Sequence, residues 1–390
     1  MFAARRLSRD EFGLFALGSA IGWLAGVVSD AGLQMHLART VARSDVRSSG
    51  WIMRRWLTWR AVAAGVALGV TGGLVAVWSA DARVVLPLVL LIATWLCSAM
   101  TEFLNHLFRG LSRTDVESTV TGVSRIATLV AGAGALAWHP TLLSLALALL
   151  PVAALTLFVT ARTAMRLTRN RLHPIATDGT GRWREFVGQV APIGAGIVLS
   201  ALYFRIDVIL LERWQGAAAV GSYTAVFRMI EALRLFPAAA LAVALPALCQ
   251  ATSMRPMTRL AIQWGSAAVV LSGVLWLTAG WLVPLTYGRR FSDAVPAFRV
   301  LLLAFPLMTL NYVLTTQLVA WDRHRAFAVL CGVALVVNVA VNARLIPELS
   351  AAGAAWATLW TEVFLTAGCA WALSGHQLRR VSRLRGVAAS

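Results

Sequence analysis

Five charged residues stand inside two apolar runs of this chain. In YFRIDVILLERW, Arg205 and Asp207 are two positions apart; in VFRMIEALRLFP, Arg228, Glu231 and Arg234 recur at every third position. On a helix that spacing puts the last three within a sector of about 120°. A charge at the centre of a bilayer costs at least ~2.5–3.5 kcal/mol on insertion scales, so each needs a partner or a purpose. One purpose is a water-filled cavity with fixed positive charge that receives an anionic group. Arginine suits phosphate there because its planar fork donates two hydrogen bonds at once. The other is ion pairing between helices, Arg205 or Arg228 with Asp207 or Glu231, and the two are compatible. At ~1.5 Å rise per residue, Arg228 lies roughly 10 Å below the outer end of its run, with Glu231 near mid-depth and Arg234 deeper.

The first half of the chain adds Asp30, Glu102 and Arg125 to the candidates. Asp30 stands near the inner end of its run, where a carboxylate also reaches water. Glu102 and Arg125 sit near the cytoplasmic ends of successive runs and are placed to pair. Glu362 and Arg299 are further candidates, for which solvation at a helix end is the simpler account. An inward carboxylate also offers a coupling site for H⁺ or Na⁺, and nothing in the sequence chooses between them. Pro151, Pro192, Pro237 and Pro306 fall inside runs, where a proline frees a carbonyl and kinks the helix.

The elements that must carry these residues are set by hydropathy. A bilayer core about 30 Å thick needs roughly 20 apolar residues in a helix. Eleven runs qualify: Phe12–Leu33, Ala61–Trp78, Val84–Phe108, Ser118–Trp138, Leu142–Thr160, Val187–Leu211, Gly221–Leu245, Leu260–Val283, Ala297–Ala320, Phe327–Val341 and Ala351–Leu373. They are too long and too rich in Ala and Leu for strands, and lipid requires backbone hydrogen bonds kept within the helix. The chain is 59% hydrophobic and 13% charged, with mean hydropathy +0.72, which excludes an ordinary soluble domain. Its net charge of +18 comes from arginine without any lysine, most of it in loops, so no nucleic-acid partner is inferred. The four cysteines, Cys97, Cys249, Cys331 and Cys369, fall inside or at the edge of runs without metal spacing and read as apolar fillers. Met1–Glu11 is too charged, and the run after it too long, for a cleavable signal peptide.

Loop arginines alternate in density from side to side. The rich side carries Arg39, Arg43, Arg47, Arg54, Arg55, Arg60, Arg109 and Arg113, then the cluster from Arg162 to Arg184 and the tail Arg379–Arg385. The poor side has Arg83, Arg213, Arg289, Arg290 and Arg344. The positive-inside rule makes the rich side, with the C-terminus, cytoplasmic. Eleven spans then leave Arg5, Arg6 and Arg9 on the wrong side. The chain also compares with itself at an offset of 208 residues, matching Gly13 and Phe15 to Gly221 and Tyr223. Two homologous bundles follow, the first without its opening helix, whose counterpart would precede Met1. The expected organisation is an N-terminal bundle of five spans (1–162), a cytoplasmic linker (163–185) with the turn-forming ATDGTG, a C-terminal bundle of six spans (186–375) and a basic cytoplasmic tail (376–390). Ser44–Arg60, with Trp51, Trp56 and Trp59 among Arg54, Arg55 and Arg60, reads as an interfacial helix on anionic lipid headgroups.

The stretch from Arg205 to Leu248 resembles the seventh and eighth helices of Wzx-like polysaccharide-repeat flippases, a branch of the multidrug/oligosaccharidyl-lipid/polysaccharide exporter superfamily. Arg205, Asp207, Gly221, Tyr223, Arg228, Pro237 and Pro246 carry the likeness. PLTYGRRF is similar to the loop before the family's tenth helix. NVAVNARLIPELSAAGAAWAT is similar to its later stretch through Asn338, Asn342, Pro347, Gly353 and Thr358. The front, ARRLSRDEFGLFAL and SDAGLQMHLARTVAR, resembles the loop after its first helix and its second helix. The resemblance implies an all-α polytopic membrane protein of two helical bundles in a V, with a cationic central cavity and alternating access. It also implies the cargo, an undecaprenyl-pyrophosphate-linked oligosaccharide moved across the bacterial inner membrane, and no bond made or broken. Partners so implied are the lipid-linked oligosaccharide, membrane lipids, and the polymerase and glycosyltransferases of the pathway. No cofactor is expected beyond H⁺ or Na⁺ coupling.

A drug or other small-molecule exporter of the same superfamily would share the fold but not the cargo. A membrane-embedded polysaccharide polymerase or ligase would need a large outward loop with catalytic residues, and the interval around Tyr287–Pro296 is too short. The six histidines form no constellation, and there is neither a Gly-rich phosphate loop nor an H-E-x-x-H motif.

Overall fold

The computed structural model describes residues 2–43, 48–79, 81–171, 181–250, 255–321 and 323–388. Eleven α-helices follow in order: α1 Phe2–Arg6, α2 Arg9–Asp30, α3 Leu33–Arg43, α4 Ser49–Trp78, α5 Ala82–Gly110, α6 Thr114–Trp138, α7 Leu142–Leu167, α8 Gly181–Gln250, α9 Arg255–Tyr287, α10 Val295–Ala320 and α11 His324–Ala388. Among the described residues nine segments are long and apolar enough to span a bilayer. Two of them, Gly194–Leu241 and His324–Ser374, have 48 and 51 residues, far beyond the roughly 20 needed for one crossing. Each is broken by one residue with non-helical backbone, Gly216 (φ 80, ψ 175) in α8 and Ser350 (φ 50, ψ −129) in α11. Divided there, the spans number eleven, as hydropathy indicates. The ATDGTG turn falls largely in 172–180, outside the described residues, as does the end of the basic tail.

The chain divides into two compact units, Phe2–Ala201 and Leu202–Ser390. In the first, α2 begins with a capping box: Ser8 accepts from the Glu11 amide while Glu11 accepts from the Ser8 amide. The second Glu11 oxygen accepts the Leu142 amide at 3.1 Å and so ties down the start of α7. Gly18, Gly22 and Gly26 form a stripe every fourth residue facing α5. A Cβ on Gly22 would lie 2.8 Å from Cβ of Trp95, so only glycine permits this approach. Ala31 (φ 42) and Gly32 (φ 88) end the helix in the left-handed region and turn the chain into α3. Leu37 and Val41 of α3 pack with Phe103, Leu104, Leu107 and Phe108 of α5 and with Ile52 and Met53 of α4. Burial, with Arg39 nearby, lowers the pKa of His36 in α3; its ring meets Trp56 edge-on.

The Trp/Arg tract does not make a separate surface helix. Ser49–Arg60 is continuous with the span that follows, in one helix of 30 residues, or about 45 Å. Its start is held by the turn that follows α7, where the Gly50 amide donates to Arg171 O at 2.9 Å. Trp59 and the arginines Arg54 and Arg55 stay exposed, whereas Arg60, grouped by sequence with the loop arginines, is 1% exposed.

In the second unit α10 is largely buried, as α2 is in the first, whereas α4 and α6 are mostly exposed. It packs against α9 and α11, and Val313, Leu314 and Leu318 of α10 meet Ala334, Leu365, Cys369 and Leu373 of α11. The α11 hairpin closes on Gly353, where a Cβ would stand 2.3 Å from Leu345 O and 2.9 Å from Ile346 N. Backbone atoms cannot yield as a side-chain tip can. Gly353→Ala is expected to lower the melting temperature in detergent by several degrees, the overpacking class costing ~1–3 kcal/mol; unchanged melting would show that the hairpin is not close-packed there.

Candidate functional site

The charged residues of α8 meet because the helix reverses. In an unbroken helix Arg205 and Glu231 would be separated by about 39 Å. Folded back at Gly216, they form an ion pair between the two arms. The same reversal sets Tyr223 opposite Asp207, whose carboxylate accepts the Tyr223 hydroxyl and its neighbouring Val208 amide at 2.8 Å. Asp207 is 2% exposed and Tyr223 is fully buried. The Tyr223 hydroxyl also lies 3.2 Å from Oγ1 of Thr358 on α11. A carboxylate this deep needs hydrogen-bond donors, and these two bonds give each of its oxygens one.

Arginine and aromatic side chains alternate beside this pair. The Arg205 guanidinium lies 5.3 Å from the ring centroids of both Phe204 and Phe227. Arg234 lies closer, 4.5 Å from the Phe204 centroid, a cation–π distance. Between the second arm of α8 and α10 opens a cavity of about 310 Å³, lined by Phe204, Glu231, Arg234, Pro237, Met308, Thr309 and Tyr312. Its charged groups are Glu231 and Arg234, one turn apart. Glu231 is engaged by Arg205; among the described residues no carboxylate ion-pairs with Arg234. The wall therefore offers an anion one guanidinium that is in no ion pair among the described residues, beside aromatic and apolar surface, with the buried Glu362 within its electrostatic reach. Arg228 is exposed and lies outside this lining.

A second polar cluster lies deeper in the same unit. Glu362 is 4% exposed, so helix-end solvation does not account for it. It accepts from Asn311 Nδ2 of α10 at 2.6 Å, and Asn311 Oδ1 accepts from Thr366 at 2.8 Å. Asn338 donates to Thr361 at 3.1 Å, and Asn342 to Asn338 at 2.8 Å. Sequence reading passed over this network. Asn338 and Asn342 at i, i+4 within an apolar run were the signal for it, since two amides on one helix face in lipid require partners. Arg299 stacks on Trp276 at 4.9 Å, more than solvation alone supplies.

The candidates of the first unit are distributed differently. Asp30 is buried with Arg60, at 3.5 Å between Oδ1 and Nε. Arg60 also donates to Ser29 Oγ and to Gly26 O, and Asp30 accepts the amides of Gly32 and Gln34. Glu102 is bound by Arg109 at 3.1 Å and by Asn105 at 3.2 Å, not by Arg125. Arg109 pairs with Glu117 as well, and Arg125 is exposed on α6. The Glu102–Arg125 pair is absent because Arg109, two turns along the same helix, reaches Glu102 first. Among the described residues no cluster of His, Cys, Asp and Glu is arranged to hold a metal ion.

Residues 1–252 match the family described as polysaccharide biosynthesis protein. The chain belongs to that family. No curated protein sequence matches it, but solved structures do. An inward-facing multidrug resistance MATE family transporter of the MOP superfamily superposes with TM-score 0.76 at 14% identity, over 99% of this chain and 93% of that one. The lipid II flippase MurJ in an inward closed conformation gives 0.69 at 10%, over 96% and 86%. A Vibrio cholerae MATE transporter gives 0.63 at 13%, over 97% and 91%. At such identities the likeness establishes the fold alone: this polysaccharide biosynthesis family protein is an all-helical, multi-pass membrane protein with a MATE-like fold.

Proposed function

We propose that the protein is a flippase for an undecaprenyl-pyrophosphate-linked oligosaccharide in the bacterial inner membrane, working by alternating access. The observation that supports this reading is Arg234, a guanidinium in no ion pair among the described residues, on the wall of an open cavity in a protein of the polysaccharide biosynthesis family. A phosphate offers that guanidinium two oxygens and a formal charge, so it binds by charge-assisted hydrogen bonds. The apolar wall of Leu235, Pro237 and Met308 suits a ligand whose headgroup adjoins a lipid tail. The two bundles expected from sequence, 1–162 and 186–375, are the moving halves in this reading, and the arginine-rich loops with the C-terminus are cytoplasmic. Glycosyltransferases supply the cargo on the inner side and a polymerase consumes it on the outer side. An energising H⁺ or Na⁺ would act through a buried carboxylate, for which Asp207 and Glu362 are available.

The test is reconstitution. Proteoliposomes holding the full chain and a fluorescent polyprenyl-pyrophosphate-linked oligosaccharide are expected to move the lipid between leaflets at least ten times faster than empty vesicles. Transport of cationic dyes without any movement of the lipid would instead establish a small-molecule exporter of the same fold, and no movement of either would reject transport.

A further inference from the structure

The carboxylate of Glu231 holds a position that the proposed cargo would contest. It lines the cavity one turn from Arg234 and, at 28% side-chain exposure, is more open than its partner Arg205 at 16%. Arg205 comes from the other arm of the α8 hairpin and does not itself line the cavity. Its guanidinium is positioned by two phenylalanines, Phe204 and Phe227, as well as by Glu231. Phe204 lies against both arginines: 5.3 Å from Arg205 and 4.5 Å from Arg234, measured to the ring centroid. The two guanidinium carbons are therefore less than about 10 Å apart, with Glu231 on the same wall. Withdrawing Glu231 would leave two guanidiniums beside one aromatic ring without the carboxylate that lines the cavity, Asp207 remaining within electrostatic reach of Arg205.

We infer that Glu231 is an internal counter-ion which an incoming diphosphate displaces, so that Arg205 and Arg234 become a two-guanidinium clamp. This rests on the reading that the cavity receives a phosphorylated headgroup. It adds a selectivity device to that reading. A monoanion satisfied by Arg234 alone has no means of competing for Arg205, while a diphosphate carries charge enough to replace the carboxylate at the second arginine. The same exchange breaks the ion pair joining the two arms of α8, so ligand binding and hairpin opening assist each other through one shared bond. With Glu231 in place the binding-competent form is a minor population, and the apparent affinity falls by that fraction.

The test uses the purified full chain in lipid nanodiscs, titrated with inorganic pyrophosphate and inorganic phosphate by calorimetry. Glu231→Gln keeps the shape and one hydrogen-bond acceptor for Arg205 but removes the competing charge. Its pyrophosphate affinity is expected to rise on the order of ten-fold, that for phosphate less than about three-fold, while flipping of the lipid-linked substrate slows because release is retarded. Glu231→Asp, which keeps the charge on a shorter stem, is expected to show a smaller rise in the same order, and it carries the test should the glutamine variant not fold. Unchanged or weaker pyrophosphate binding in both variants overturns the counter-ion, and so does an equal gain for both anions. If Arg234→Ala abolishes pyrophosphate binding in that case, the cavity reading stands without the displacement. If no variant binds either anion, both fall together.

Discussion

Arg234→Ala is expected to reduce export of the lipid-linked oligosaccharide by roughly 10- to 100-fold while the protein still inserts and folds. A charge-assisted hydrogen bond contributes about 1.5–3 kcal/mol; Arg234 is in no ion pair among the described residues, and the buried Glu362 near it keeps its hydrogen bond from Asn311. The cost should therefore appear in transport and not in stability, which separates it from ordinary core damage. Surface polysaccharide in a strain carrying only the variant reads the first quantity, and membrane yield with detergent melting reads the second. Normal polysaccharide at normal protein level would remove Arg234 from the cargo path. Arg228→Ala is the internal comparison, since Arg228 lies outside the cavity lining, and the smaller loss is expected there.

Asp30→Ala carries the largest expected effect on stability. Arg60 is 1% exposed, and Asp30 is the acid that ion-pairs with it. Removing one partner of a buried pair leaves an uncompensated charge, at a cost of about 3–5 kcal/mol. Asp30 also accepts the Gly32 and Gln34 amides at the start of α3, a capping contribution of about 1 kcal/mol. The variant should be scarce in the membrane and melt far below the parent. Asp30→Ala combined with Arg60→Met should recover most of that loss, because an apolar pair of similar volume fits a buried site about as well as an ion pair. The amide contacts of α3 would remain lost, so recovery is expected to be incomplete. A single variant that melts like the parent would mean that water reaches Arg60.

These two sites differ in how far the sequence revealed them. Arg205, Asp207, Glu231 and Arg234 were visible because each interrupts an apolar run, and a charge in lipid announces itself by its cost. Which of them pair was left open. Asp207 goes to Tyr223 and Arg205 to Glu231 because the chain reverses at Gly216, which pairs residues by their distance from the turn. The alternative pairing of Arg228 with Asp207 was equally open on paper. Arg60 was sorted with the loop arginines because it ends a basic tract, and hydropathy averages a window without knowing that α4 starts a dozen residues earlier. Glu362 was assigned to a helix end for the same reason: its burial depends on Asn311, 51 residues away on another helix.

What the amino-acid sequence determined by itself is the number of crossings and the class of the fold. Lipid cannot satisfy an exposed backbone, so any run of some twenty apolar residues must close its own hydrogen bonds as a helix, and that rule is local. What only the tertiary structure decided is which buried charges pair with one another, and that Arg234, in no ion pair among the described residues, lines a cavity. That outcome is not local. It follows from reversals at Gly216 and Ser350 and from glycines such as Gly22 and Gly353 that let helices approach within backbone contact, distances that no single stretch of sequence contains.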